Sequence, residues 1–428
     1  MDLTRSRPAL AAAAVVFAFA CPPTARGDAV TDWNTHANTA IFAAGPPAHS
    51  AVLSTAMVHG AVYDAVNAIA GGYEDYLPTP RAARWYSQDA AAATAAFHVV
   101  RELVTDPVQL SMLDGHYDAS LEAIPDGPAK DGGIAVGAAA AVAMLAARAN
   151  DGRKVPFAFV PGTAPGAWRP SPPLFLEDAA AWVGNVKPFL VPDARMLRTD
   201  GPDRLRSRAY ARDFKEVKTL GSLTSTTRTA DQTMAAIFWQ AQPGGLYGGV
   251  MRSLSASKDL STAENARLFA MVSLAAADGA IGCWNDKARW SFWRPIDAIR
   301  LAATDGNRRT RADATWTPLF DGATDTTPKL TTPGFPDHPS GHGCVSGASL
   351  GAMRNFFGTD RIAFDVSSGR FPGQSRHFDR FSEAIQEVIE ARIWGGIHFR
   401  KADVAGAKLG AQVARWERRH YFREERWR

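Results

Sequence analysis

At 428 residues and 46% hydrophobic, the chain can bury one large core or two smaller ones. A charged fraction of 21% with 10% aromatics excludes a disordered polymer. The formal net charge is only +4, half of it carried by the first 27 residues, and no basic stripe or stacking motif accompanies it. No nucleic-acid partner is therefore expected.

The N-terminus reads as an export signal. Arg5 and Arg7 supply a positive start, Pro8 to Ala20 is an apolar run with an alanine-rich centre, and Ala25-Arg26-Gly27 offers small residues at a cleavage position. Residues 1–27 are expected to be a signal peptide and the mature chain to be periplasmic or secreted. Cys21 closes the apolar run, but Phe19 and Pro22 fit a lipobox poorly. No later stretch has the ~20 uninterrupted apolar residues of a membrane span, so no transmembrane segment is expected in the mature chain. Beyond Cys21 only Cys283 and Cys344 remain, too few for a disulfide framework and without metal-binding spacing. They are either two buried thiols or one bridge.

Helical patterns dominate. Ser50 to Ala70, Asp89 to Val104 and Gly133 to Asn150 are alanine-rich with apolar residues at helical spacing, separated by turn signals such as Gly71-Gly72 and Asp126-Gly127. From Val155 to about Asp203 the texture changes. Six prolines between Pro156 and Pro173 break any regular element, while Trp168, Phe175, Trp182 and Phe189 predict that the segment packs. Helices are then expected at Leu205 to Lys218, Thr227 to Gln240, Thr262 to Cys283, Gly341 to Phe357, Asp379 to Trp394 and Arg400 to Arg415. Alternating Val/Ile strands are scarce. The expected class is all-α with helix-bundle packing: a helical half with the proline-rich wrap over residues 28–200, and a second helical half over 201–428.

Three segments carry chemistry. In Lys287-Ala-Arg-Trp-Ser-Phe-Trp-Arg294-Pro295 the two cations are seven apart, two helical turns, so they leave roughly one face, with Trp284 a turn earlier. Pro295 predicts that the helix ends or kinks at Arg294. In Phe335-Pro-Asp-His-Pro339-Ser340-Gly341-His342, prolines hold the chain extended and Ser340 stands where a helix N-cap belongs. Free N–H groups and the positive dipole end would face an anion there, and Gly341 would let its amide approach closely. In Arg392-Ile-Trp-Gly395-Gly396-Ile-His398, a continuous helix would hold Arg392 and His398 about 120° apart. The two glycines predict a stop and a turn that swing His398 back. Asp403 follows and is the expected carboxylate to orient that imidazole. Each segment by itself has an ordinary structural reading: a solvated basic face, a capped helix, an interior histidine.

Together, Lys-x6-Arg-Pro, Pro-Ser-Gly-His and Arg-x3-Gly-x-His in this order resemble the signature of the vanadium-dependent haloperoxidases and the type 2 phosphatidic-acid phosphatase superfamily. The motifs cover Lys287 to His398. The resemblance implies an all-helical bundle and a vanadate cofactor, with phosphate able to occupy the same site. It implies His398 as vanadium ligand or phosphorus nucleophile, and Lys287, Arg294, Arg392, Ser340 and Gly341 around the equatorial oxygens. It further implies His342 as acid–base group, with hydrogen peroxide and halide as substrates. Two departures stand out: Ala391 where the family often has serine, and Asp403 five residues after His398 where the phosphatase branch places an aspartate four after. Trp284 and Phe335 match aromatic positions on the halide side of chloroperoxidase pockets. The expected activity is vanadium-dependent halide oxidation; the alternative is a phosphomonoesterase working on a phosphate ester through a phosphohistidine.

Overall fold

The computed structural model describes residues 28–43, 45–241, 243–322 and 329–425. The expected signal peptide lies outside the described residues. The helices in chain order are α1 (Ala29–Ala43), α2 (Ala48–Ala70), α3 (Gln88–Leu103), α4 (Pro107–Glu122), α5 (Pro128–Arg148), α6 (Arg208–Leu220), α7 (Ala230–Phe238), α8 (Pro243–Lys258) and α9 (Thr262–Trp290). There follow α10 (Pro295–Arg300), the short α11 (Leu319–Gly322), α12 (Gly341–Phe357), strands β1 (Arg361–Ser367) and β2 (Ser375–Arg380), α13 (Phe381–Trp394) and α14 (Arg400–His420). The all-α expectation holds, with one antiparallel hairpin added. Helices α1, α4, α8, α10 and α11 were not expected from the sequence.

The hairpin shows why sequence reading passed it over. Arg361–Ser367 alternates exposed and buried residues strictly, but only Ile362, Phe364 and Val366 are bulky and apolar. Three inward side chains are enough when they pack on α8 and α13.

Helix α9 is the axis of the molecule. A reciprocal cap between Ser261 and Glu264 starts it, and Ser291 in the left-handed region (φ 40°) ends it. It packs against α2 from the N-terminal half and α12 from the C-terminal half, so one continuous core runs through both. Two helices, α5 and α9, are long and apolar enough to pass a length-and-composition test for a membrane span. In α9, 94% of the apolar window is buried, so the core accounts for its apolarity; in α5 the figure is 28%. Neither is an uninterrupted apolar run of ~20 residues: Lys130 and Asp131 break α5, and Asp278 breaks α9.

Between α5 and α6 the proline-rich segment forms two short 3-10 turns and otherwise runs without regular structure. It stays ordered because its amides find partners elsewhere. Asp278 on α9 accepts from the consecutive N–H groups of Phe189, Leu190 and Val191 at 2.6, 2.8 and 2.8 Å. Ser171 donates to Asp297 at 2.5 Å, and the Trp168 amide donates to the Ser291 carbonyl at 2.7 Å.

The closest helix contact is between α12 and α14. A Cβ on Gly410 would lie 2.2 Å from the Cys344 carbonyl oxygen, and one on Gly347 2.6 Å from that of Ala407. Only glycine allows that approach. It brings Asp403 at the start of α14 beside Ser340 at the start of α12.

Candidate functional site

Every chemistry-bearing residue named from the sequence lies at one end of this helical pack. The first motif departs from its expected geometry. Helix α9 ends at Trp290, so Lys287 projects from a helix while Arg294 sits in extended conformation as the residue before α10. The two-turn, same-face argument therefore fails; Pro295 and the left-handed Ser291 redirect the chain instead. Lys287 Nζ donates to the carbonyls of Pro336 and Asp337 at 2.6 and 3.1 Å, so the extended second motif wraps its head. Burial lowers its ammonium to about 8.

Arg294 donates through Nε to the Phe335 carbonyl at 2.8 Å and through Nη1 to that of Ile397 at 2.8 Å. Its Nη1 also lies 3.1 Å from His398 Nε2. Ser340 caps α12, its hydroxyl accepting from the Gly343 amide at 3.4 Å. Gly341 is needed at the next position because a Cβ there would meet the Trp284 ring at 3.0 Å. The third motif turns as expected: Gly395 ends α13 and Gly396 takes φ 78°. The turn returns His398 to the neighbourhood of Arg392.

The carboxylate that orients His398 is not the expected one. Asp337 Oδ1 lies 2.8 Å from His398 Nδ1, whereas Asp403 stands beside Ser340 and Arg392. An arginine only donates, so the Nε2 next to Arg294 is the acceptor and Nδ1 carries the proton given to Asp337. Burial raises the Asp337 carboxyl to about 7 against the pull of Arg294 and Lys287. Burial also pushes Asp403 well up, opposed by the Ser340 hydroxyl and by Arg392.

The cations crowd one another. Burial lowers Arg392 to about 9 and Arg294 to about 10. His398 is driven well below its ordinary value by burial, then by Arg294, Lys287, Arg392 and His342. His342, half-buried on the cavity wall, is lowered by burial and Arg392 while the Trp239 carbonyl pulls upward. Both imidazoles are thus neutral near pH 7. Among the buried polar atoms of the described residues that have no hydrogen-bond partner are Arg294 Nη2, Arg392 Nε and Nη1, His342 Nε2 and both carboxylate oxygens of Asp403. So many orphaned atoms in one cationic cluster, three of them guanidinium donors, call for a missing acceptor.

A cavity of about 400 Å³ reaches two of these residues, His342 and Arg392, and Trp284, Phe335, Gly341 and His398 also line it. Trp284 and Phe335 pack at 5.0 Å between ring centroids. His49 on α2 and Asp178 in the proline-rich segment line the cavity beside them. Neither carries a sequence signal: His49 opens an ordinary apolar helix, and Asp178 lies in an irregular stretch. Cys283 and Cys344 lie behind the site as free, buried thiols in contact, with burial and the Cys283 thiol raising Cys344.

Fold and site together define a mostly helical protein with a buried cluster of three cations, a helix N-terminus and two neutral histidines. Residues 267–424 match the family model described as the VCPO second helical-bundle domain. That stretch, which holds all three motifs, is thus similar to the second helical bundle of the vanadium haloperoxidases. The chain is 28% identical over 239 residues to the vanadium chloroperoxidase of Curvularia inaequalis, a match covering 44% of this chain and 38% of that protein. It superposes on a crystal structure of the first bacterial vanadium-dependent iodoperoxidase with TM-score 0.75 and 23% identity, covering 91% of this chain and 94% of that one. A holo-type bacterial vanadium-dependent chloroperoxidase matches with TM-score 0.66 and 18% identity, over 87% and 91% of the two chains.

Proposed function

We propose that the protein is an exported vanadium-dependent haloperoxidase that oxidises halide with hydrogen peroxide. The observation that carries the reading is the set of orphaned guanidinium nitrogens on Arg294, which touches His398 Nε2, and on Arg392, which lines the same cavity as His398. An oxyanion with a ligand-accepting centre fits that set. Vanadate would be held by His398 Nε2 and by donors from Lys287, Arg294, Arg392, Ser340 and Gly341, with the wholly buried cations neutralising its charge. When bound, it supplies a Lewis-acid centre that stays pentavalent and activates peroxide toward halide.

The chain's own residues do the rest. Asp337 fixes the Nδ1–H tautomer of His398, so Nε2, which accepts from Arg294 Nη1 at 3.1 Å in this structure, is the nitrogen with a lone pair for the vanadium. His342, neutral with Nε2 unpartnered, accepts the proton that peroxide must lose and returns it to the leaving oxygen. Trp284 and Phe335 make one wall apolar, which suits a weakly hydrated halide and gives a polar ester little to bind. The relatives named chloroperoxidase and iodoperoxidase support the same chemistry.

The Asp337–His398 pair supports a second reading. An imidazole backed by a carboxylate is also what a phosphohistidine enzyme requires. The position of Asp403 therefore gives no argument against phosphatase chemistry, since Asp337 does the orienting. One experiment separates the two: apo-protein with and without orthovanadate, assayed for peroxide-dependent bromide oxidation beside p-nitrophenyl phosphate hydrolysis. Vanadate-dependent bromide oxidation that phosphate inhibits is expected. Robust ester hydrolysis without vanadate, and no halide oxidation with it, would overturn the reading.

A further inference from the structure

We propose that His49, a residue of the N-terminal half, sets the halide affinity of the cavity by covering the carboxylate of Asp178. The inference rests on the haloperoxidase reading above and adds a specificity residue to it.

A buried indole N–H needs a partner. Trp284 Nε1 finds one in Asp178 Oδ2 at 2.6 Å. The other oxygen, Oδ1, faces the Ala180 amide at 2.9 Å and His49 Nε2 at 3.1 Å. A carboxylate only accepts, so His49 Nε2 carries the proton it shares with Asp178. Burial pushes the Asp178 carboxyl up, but the bonds from His49 and Trp284 hold it below its ordinary range. The group that pins the indole thus places a full negative charge at the wall that must receive an anion.

His49 resolves the conflict by position. Its ring lies flat on the Trp284 indole, centroids 3.9 Å apart at 15°, and meets Phe335 edge-on at 5.9 Å and 73°. The Asp178 side chain keeps 2% of its surface exposed and that of His49 8%. On the cavity wall, which both residues line, the imidazole takes up Oδ1 of the carboxylate and continues the aromatic surface of Trp284 and Phe335. Neither His49 nor Asp178 hydrogen-bonds Lys287, Arg294, Arg392 or His398, so the pair acts on the halide side alone. The arrangement draws on three remote parts of the chain: α2, the proline-rich segment and α9.

The test uses vanadate-loaded enzyme at saturating peroxide, with vanadate affinity measured separately for each variant. His49→Ala should raise the bromide KM about tenfold with a smaller change in kcat, because uncovering the carboxylate weakens anion binding more than turnover. Adding Asp178→Asn should recover most of that loss, since asparagine still accepts the indole N–H but carries no charge. A packing role alone would make the double variant worse than the single. That outcome overturns the proposal, as does an unchanged bromide KM in His49→Ala. His49→Gln keeps a donor to Asp178 and guards against a folding defect; its KM should fall between wild type and His49→Ala, and a wild-type value overturns the proposal. Wild-type enzyme that takes up vanadate but oxidises no halide overturns the haloperoxidase reading itself, and this inference with it.

Discussion

Asp337 and His398 stand 61 residues apart in sequence and 2.8 Å apart in the structure, carboxylate oxygen to imidazole Nδ1. With Arg294 on the other side of the ring, this pair settles which nitrogen faces the oxyanion. Asp337→Asn keeps the shape, but its amide can present a donor to Nδ1 and release the tautomer. We expect oxyanion affinity to fall by roughly 10–100-fold with little change in thermal stability. Titration calorimetry with orthovanadate checks this; unchanged affinity would remove Asp337 from its role.

The two histidines should separate by assay. His398→Ala removes the sole imidazole bond to the cofactor, and vanadate should be lost on gel filtration. His342→Ala should retain vanadate yet turn over roughly 10²–10⁴-fold more slowly, since only proton transfer is removed. Equal loss of vanadate from both variants would contradict the assignment.

Lys287 predicts a pH dependence whose sign follows from its burial. Its ammonium titrates at about 8 instead of the usual 10.5, so it is charged below pH 8 and neutral above. An oxyanion favours the charged form, so its contribution to binding is complete below pH 8 and fades as pH rises beyond it. Affinity for phosphate should fall by up to about tenfold per pH unit in that window. In Lys287→Met this component should vanish, leaving the titration of the anion and, at higher pH, of Arg392 and Arg294. Parallel curves for the two proteins above pH 8 would show that Lys287 does not contribute.

Phe335 lies between the oxyanion cations and the aromatic wall, its ring 4.9 Å from Lys287 Nζ and 4.8 Å from the Arg294 guanidinium carbon. Phe335→His puts a polar ring there and should shift halide preference toward bromide. The ratio of kcat/KM for bromide to that for iodide measures the change; an unaltered ratio would place the halide elsewhere.

Much of the fold was legible because helices announce themselves locally. The alanine-rich periods placed α2, α3, α5, α9 and α12 within a few residues of their observed starts, since side chains three and four apart share a face. Helices α1, α4 and α8 escaped because polar residues and glycines interrupt their apolar faces, and α10 and α11 because six and four residues are too few to show a period. Three short motifs were enough to nominate His398, His342, Lys287, Arg294, Arg392, Ser340 and Gly341, because an oxyanion site needs those side-chain types at fixed spacing. The sequence also foresaw the Gly395-Gly396 turn, because a left-handed residue favours glycine.

Tertiary structure alone decided which carboxylate serves which group. Asp337 and Asp403 both lie near the motifs, and spacing along the chain favoured Asp403. Yet Asp403 starts a helix pressed against α12 through glycines, which commits it to Ser340 and Arg392. Asp337, on the extended stretch that wraps Lys287, is the one that reaches His398. The pairing of His49 with Asp178 is further still from sequence, 129 residues apart on unrelated elements. Local pattern records what a residue can do with its neighbours three or four positions away. A hydrogen bond across the fold depends on where whole helices come to rest, which packing of the shared core determines.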